Sequence, residues 1–550
     1  MSTPGRRPKD VRTAGVSSAA ESTAESTAES TAESMAESAA ESTAESAAES
    51  TAESAAESTA ESTGLSRPAS TNAANPPSTE PSEAAGRGGL NRGLALLVAG
   101  AFFMEILDGT VIAPAAPAIA ADLGVAAVDI NVAITAYLLT LAVLIPISGW
   151  MADRFGARRV FMAAIAIFTL ASAGCALATS LPMLTSTRIL QGVGGAMMVP
   201  VGRLVVLRTT AKVDLIRAIA FLTWPALIAP VIAPAVGGVL STYASWRWIF
   251  VINLPLGIAG LFLAARLVPD VRAESKPRLD WRGFVLTALG ISALLVGMEN
   301  IGMGPSNWSV VATGLALAAV FLSTSVVYLL HVARPLLDLR ILRIASFRVT
   351  AGGGSLYRLV ISAIPFLLPL FFQVGFGWTS AQAGVVIIAL FAGNVGIKPA
   401  TTPLMRRFGI RPVLLVAVGA SSICLVIMAL LRASTPLIVI LAALALSGIF
   451  RSVGFSAYNS VAFADVEPER MTQANTLLST VQELAAGLGV AVGALLLRLG
   501  DPVAEALGLP DGAEAPFRVA FVLLAVLMLV PGVEALLMPR SIGSGVTGRA

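Results

Sequence analysis

Two cysteines and one histidine in 550 residues leave almost no material for thiol, metal or imidazole chemistry. Cys175 and Cys424 each fall in the middle of an apolar run, which excludes a disulfide framework and a thiolate metal site. His331 has no second histidine to work with. No lysine follows a glycine, so the chain lacks a phosphate-binding Walker loop and is not an ATP-driven pump. Neither a metal nor any other cofactor is expected. Charge is also scarce, at 13% of residues, while 55% are hydrophobic. That balance leaves no room for a large soluble domain. No apolar stretch follows the basic Arg6, Arg7 and Lys9, so the start of the chain does not read as a secretory signal.

The first 90 residues are a separate material. From Ala20 to Thr63 the tetrapeptide Ala-Glu-Ser-Thr/Ala repeats, placing eleven glutamates at a period of four with no lysine or arginine among them. Like charges at i,i+4 oppose a helix, and no apolar face exists to bury. A disordered low-complexity tail over 1–90 is expected. Its acidity hides a basic remainder of 37 lysines and arginines against 23 acids (34 less the 11), or +14. The excess follows from membrane topology and does not signal nucleic acid.

What fills the rest is apolar. Fourteen runs lie near 94–116, 130–151, 160–179, 183–207, 217–240, 247–267, 283–301, 309–331, 350–372, 380–400, 411–431, 435–459, 473–498 and 517–538. In hydrocarbon no water satisfies backbone N–H and C=O groups, so runs of roughly 20 apolar residues read as spanning helices. The breaks after even-numbered runs collect the basic residues: Arg154, Arg158 and Arg159; Arg208 and Lys212; Arg272, Lys276, Arg278 and Arg282; Arg340, Arg343 and Arg348; Arg406, Arg407 and Arg411; and Arg470. Positive loops stay cytoplasmic, which predicts an all-α polytopic membrane protein with both termini inside.

The membrane part echoes itself. Arg154-Phe-Gly-Ala-Arg158 after run 2 returns as Arg407-Phe-Gly-Ile-Arg411 after run 10. An offset of eight helices predicts a 6 + 2 + 6 order: a first six-helix bundle over 91–270, an inserted pair over 271–345, a second bundle over 346–540, and a cytoplasmic tail at 541–550. Bundles repeated this way are built to rock about a site near the bilayer midplane.

Several segments carry a family resemblance. Gly149-Trp-Met-Ala-Asp153-Arg154-Phe-Gly156-Ala-Arg158-Arg159 resembles the loop 2–3 signature of the major facilitator superfamily. Leu107-Asp108-Gly-Thr110, Arg188-Ile-Leu-Gln191-Gly192, Ala233-Pro234-Ala-Val-Gly237-Gly238, Trp246 to Pro255, Leu279-Asp280-Trp281 and Pro335 to Arg340 are similar to segments of its fourteen-helix drug:proton antiporter branch. The ordered set covers residues 90–540. It implies export of varied small molecules in exchange for protons. By the same resemblance Gly149, Asp153, Arg154, Gly156 and Arg158 form an inner gate, and Pro230, Pro234, Gly237 and Gly238 mark a bent antiporter helix. The family signature has glycine where this chain has Ala233.

Intramembrane charges are the sharpest clues, because each costs about 2.5–3.5 kcal/mol at the bilayer centre even on the mildest scale. Glu105 and Asp108, three apart, share one face of helix 1, and Arg188 enters helix 4 at a matching depth. Arg203, Arg358, Arg451 and Glu483 lie in helices 4, 9, 12 and 13. Burial and a nearby arginine act in opposite senses on a carboxyl's proton. A site whose arginine contact changes between two states therefore takes up and releases a proton each cycle. The expected proton-coupling residues are Asp108, Glu105 and Glu483, with Arg188, Arg203, Arg358 and Arg451 as charge partners or cavity lining. A static Asp108–Arg188 tie is the bland alternative. The expected partners are a small-molecule substrate, protons and the bilayer, with the chain acting as a monomer in a bacterial cytoplasmic membrane. Proton-coupled uptake and, more remotely, a non-transporting sensor are the competing functions.

Overall fold

The computed structural model describes residues 91–211, 214–269, 278–300, 308–508, 512–539 and 542. The repeat tail, the 541–550 tail and the basic residues Lys212, Arg272 and Lys276 lie outside the described residues, Ile542 excepted. Within them the secondary structure is helical throughout.

The helices are α1 (Arg92–Leu123), α2 (Asn131–Phe155), α3 (Ala157–Ala176), α4 (Leu181–Thr209), α5 (Leu215–Tyr243), α6 (Trp248–Leu267), α7 (Trp281–Asn300), α8 (Trp308–His331), α9 (Ala345–Gly375), α10 (Ser380–Gly396 and Lys398–Phe408), α11 (Ile410–Leu430), α12 (Leu437–Ala462), α13 (Met471–Ala506) and α14 (Ala515–Leu537). Twelve helices among the described residues are long and apolar enough to cross a membrane, and thirteen with α10, whose two parts meet at 47°. α5, helical over 29 residues, stands outside this count, several of its side chains lying outside the described residues.

Helix ends follow local chemistry. Asn91 starts α1 by accepting from the Leu94 N–H at 3.1 Å, and Gly124 ends it in the left-handed region. Thr379 and Gln382 form a reciprocal capping box at α10. The sequence echo is one turn made twice. Gly156 has φ 90° between α2 and α3, and Gly409 has φ 84° between α10 and α11. A side chain would be strained at both.

Helix packing repeats as well. In the first half α1 lies along α5, α3 along α4 and α6, and α2 along α4; in the second, α9 lies along α13, α11 along α12 and α14, and α10 along α12. Every pair recurs eight helices later. α7 and α8 pack mainly on each other, with a Thr287–Ser325 hydroxyl contact of 2.7 Å and Gly297 backed onto Gly314. Close approach through small residues is how apolar helices associate without a hydrophobic drive between them.

α5 is helical from Leu215 to Tyr243, and its Gly237 lets α1 come close. A Cβ on Gly237 would meet the Val111 carbonyl of α1 at 2.6 Å and Pro114 at 3.0 Å. The side chains of Pro234 and Gly238 lie outside the described residues.

Candidate transport site

Asp108 sits on the inward stripe of α1 and is fully buried. Its carboxylate accepts from Arg188 NH1 at 2.5 Å, Gln191 Nε2 at 2.8 Å and Asn253 Nδ2 at 2.9 Å. Gln191 in turn accepts from Arg188 at 2.7 Å and donates to Ser172 at 2.7 Å. The Arg188 guanidinium also lies over the Tyr137 ring, 3.9 Å from its centroid. Five helices of the first half thus converge on one ion pair. Arg188 and Asp108 sit about two turns and four turns into their helices, and only the tertiary fold brings them together.

Glu105, one turn before Asp108, is half-buried and packs beside Gly195 of α4, where a Cβ would stand 3.7 Å from its Cγ. It interacts electrostatically with Asp108, Arg203 and, across the interface between the halves, Glu483. Glu483 feels Arg358 and Arg203 in the same way, and Arg358 lies within reach of Arg451. Arg203 donates to Gln482 of α13 at 3.4 Å, and Gln482 donates to Asn459 of α12 at 3.0 Å. All seven charged residues singled out in the sequence therefore belong to one connected electrostatic set. Asp108 and Arg188 form its buried end, and the other five occupy half-buried positions facing between the halves.

At the arginine-rich end the two halves touch directly. Asp153 of α2 accepts from Arg208 of α4 at 3.0 Å and from Thr472 of α13 at 3.2 Å, and Arg208 also donates to Thr472. Asn475 donates to the Pro200 carbonyl at 2.8 Å. Gly149 lies against Thr472 and Thr476 with no room for a side chain. The gate assignment of Arg158 changes: it donates to the Ala265 carbonyl of α6, within its own half, and the arginine at the contact is Arg208. Arg154 is exposed, and Gly156 makes the turn.

The opposite end of α1 carries a different tie. Asp122 accepts from Arg247 at 2.7 Å and Trp246 at 3.1 Å, and Arg247 also reaches the Ala178 carbonyl at 3.1 Å. The Arg247 hydrogen bond, seconded by Trp246, holds the Asp122 carboxyl below the usual carboxylate range.

Lys398 is the residue that sequence reasoning missed, although it is a lone charge inside the tenth apolar run. It is 5% exposed and begins the second part of α10. Its ammonium donates to Ser456 of α12 at 2.7 Å and Thr223 of α5 at 3.1 Å. The bend frees the chain to turn this amine across the interface. Lys398→Met should leave the fold intact to within about 1 kcal/mol, because Thr223 keeps its bond to the Ile219 carbonyl. It should slow turnover several-fold by removing a link between the halves. Turnover per molecule, read beside thermal stability, checks this; wild-type turnover would make Lys398 a packing residue only.

Gln191, Asn253, Ser172 and Tyr137 were also given no role from sequence. Gln191 and Asn253 stood inside recognisable segments, but a neutral amide in an apolar run carries little signal. Their function depends on partners 83 and 145 residues away.

Repeated helical bundles closing around a buried charge set define a polytopic membrane transporter. The Major Facilitator Superfamily profile matches residues 98–351 and 350–544, and the chain belongs to that family. It is 35% identical over 446 residues to the multidrug resistance protein MdtD of Salmonella heidelberg, covering 80% of this chain and 93% of that one. MdtD of Cronobacter sakazakii is 37% identical over 411 residues, covering 73% and 85%. Among solved structures, the human organic anion transporter MFSD10 superposes with a TM-score of 0.58 at 15% identity, over 82% of this chain and all of that one. The proton:xylose symporter XylE, bound to 6-bromo-6-deoxy-D-glucose, gives 0.56 at 13%, over 82% and 96%. These two likenesses concern the fold. Membership makes the chain a multi-pass transporter and not an enzyme, on the drug:proton antiporter side of the superfamily.

Proposed function

We propose that this protein exports small, amphipathic or drug-like molecules across a bacterial cytoplasmic membrane in exchange for protons, by alternating access. The observation that carries this reading is the placement of carboxylates. Glu105 on α1, one turn from the buried Asp108, stands in electrostatic contact with Glu483 on α13, at the junction of two halves with the same helix packing. Carboxylates in a membrane interior mark proton and substrate pathways, and the curated relatives bear the name of multidrug resistance proteins.

In this reading α1–α6 and α9–α14 are the two rocking bundles, α7–α8 are the inserted pair, and α5 and α10 are counted as spans to give fourteen. The contacts of Gly149, Asp153 and Arg208 with α13 close the cytoplasmic side. Separating them would open the space between the halves inward, with Glu105 and Glu483 exchanging protons as their arginine neighbours shift.

Everted vesicles test direction and coupling together. Imposing an inside-acid gradient should drive a fluorescent drug into vesicles containing the protein, and collapsing the gradient with a protonophore should stop it. Accumulation in right-side-out vesicles under an inward proton gradient would instead establish uptake symport. Topology has its own check. A cysteine at Gly304 should react with an impermeant maleimide added outside cells, and one at Lys276 should react only after permeabilisation. Both positions lie outside the described residues, so the labelling stands independently of the structure. The reverse pattern would overturn the orientation and the inner-gate assignment with it.

A further inference from the structure

The charges of the central set are not balanced between the halves. The first half supplies an acid, Glu105, and a cation, Arg203, which already holds Gln482. The second half supplies one acid, Glu483, and two arginines. Arg358 and Arg451 lie close enough to repel each other. Glu483 acts on Arg358, whereas no carboxylate is among the charges acting on Arg451. Arginine is always protonated, so this pair remains cationic.

Their hydrogen bonding is also incomplete. The Arg358 Nε and the Arg451 NH1 are both inaccessible to solvent and meet no acceptor. Each guanidinium rests on an aromatic face. Arg358 lies over Phe455 at 4.8 Å and Arg451 over Phe391 at 6.0 Å from the ring centroids. These rings limit how the guanidiniums can turn. The Tyr357 hydroxyl donates to the Phe450 carbonyl at 3.0 Å, so it is already committed next door. A buried donor left unmade costs about 1–3 kcal/mol, more when charged. Two such donors on adjacent, half-buried arginines therefore form a site that an anionic group would complete.

We propose that Arg358 and Arg451 form an anion-binding subsite at the charge set between the halves, so that the molecules this transporter moves include ones bearing a carboxylate, sulfonate or similar group. The inference rests on the transport reading above for its place in a cycle, but not for binding. A bidentate oxyanion would bridge the guanidiniums. Glu105 and Glu483, which interact with each other across the halves, would face any cationic group of the same molecule. A zwitterion satisfies both ends, and protonating the two acids would release its cationic end. This makes anion recognition compatible with exchange for protons.

The test uses the full chain in proteoliposomes and in detergent. Probes are dansylglycine, its neutral methyl ester, and cationic ethidium, with a series of aromatic carboxylates and sulfonates as competitors. The carboxylate probe should be transported saturably and compete with the anions. Arg358→Gln and Arg451→Gln should each raise its half-saturation concentration about tenfold or more, and Arg451→Lys should recover part of the loss. A Tm close to that of the wild type in the absence of anions reports that the variants fold. In detergent, the anions should raise the Tm of the wild-type protein and lose that effect in the double Gln variant.

Failure of the two readings is separable. Anion-dependent stabilisation lost in the double variant, with no transport of any probe, would uphold the subsite and sink the transport reading. Ethidium transport without any anion binding or transport would overturn the subsite and spare the exporter. Unchanged anion affinity in both Gln variants would overturn the subsite as well.

Discussion

Asp108→Asn should reduce proton-driven export to the background of empty vesicles while the protein still inserts and binds substrate. The amide keeps an acceptor for Arg188, and Gln191 and Asn253 can reorganise around it, but it can no longer carry a proton. Breaking a buried pair generally costs about 3–5 kcal/mol because the remaining charge is stranded. Here Arg188 keeps its contacts with Gln191 and the Tyr137 face, so the loss of stability should fall at or below the lower end. The network also sharpens the alternative. An acid held by three donors and shut off from solvent is what a structural tie looks like. The double variant Asp108→Asn/Arg188→Gln separates the two roles. If the pair is only a tie, removing both charges should restore stability and export together. If Asp108 takes part in coupling, stability should recover and proton-driven export should not. Normal export by the single variant down to small proton gradients would remove Asp108 from the coupling set and leave Glu105 and Glu483 as its candidates.

Gly149→Val should trap the protein away from the arrangement described here. The three atoms nearest to a Cβ at Gly149 all belong to Thr472 and Thr476, on the other half, with Thr472 Cγ2 at 3.1 Å and Thr476 Cβ at 3.2 Å. The added bulk therefore acts between the halves and not inside either one. Overpacking of this kind costs about 1–3 kcal/mol, which shifts a two-state equilibrium by roughly 5- to 150-fold. Transport should fall accordingly, with thermal stability much less affected. In a background lacking Cys175 and Cys424, a cysteine at Ser479 should label faster from the arginine-rich side in the valine variant. Gly149→Ala paired with Thr476→Ala should be far milder than the valine variant. Equal labelling rates, or a loss of stability as large as the loss of transport, would mean that Gly149 serves folding and not the gate.

The sequence displayed the helices, because the bilayer imposes one length and one composition on anything that crosses it. It also displayed the repeat, since the turns at Gly156 and Gly409 need the same left-handed glycine. It showed which charges are costly, because an arginine or glutamate in an apolar run must find a partner wherever it ends up. Lys398 obeyed the same rule and was passed over in a run whose other features drew attention first. α5 shows the limit of local reading. Its prolines are obvious along the chain, whereas the close approach of α1 at Gly237 is not.

The partners could be decided only by the tertiary structure. Asp153 reaches Arg208 and Thr472 and not Arg158, because two helix ends and the start of α13 meet there. Asn253 completes the Asp108 site from 145 residues away, and Arg358 and Arg451 become an unbalanced pair only once α9 and α12 are packed side by side. Burial is priced residue by residue and is legible along the chain. A hydrogen bond or an ion pair is a property of two positions, and folding alone sets the distance between them.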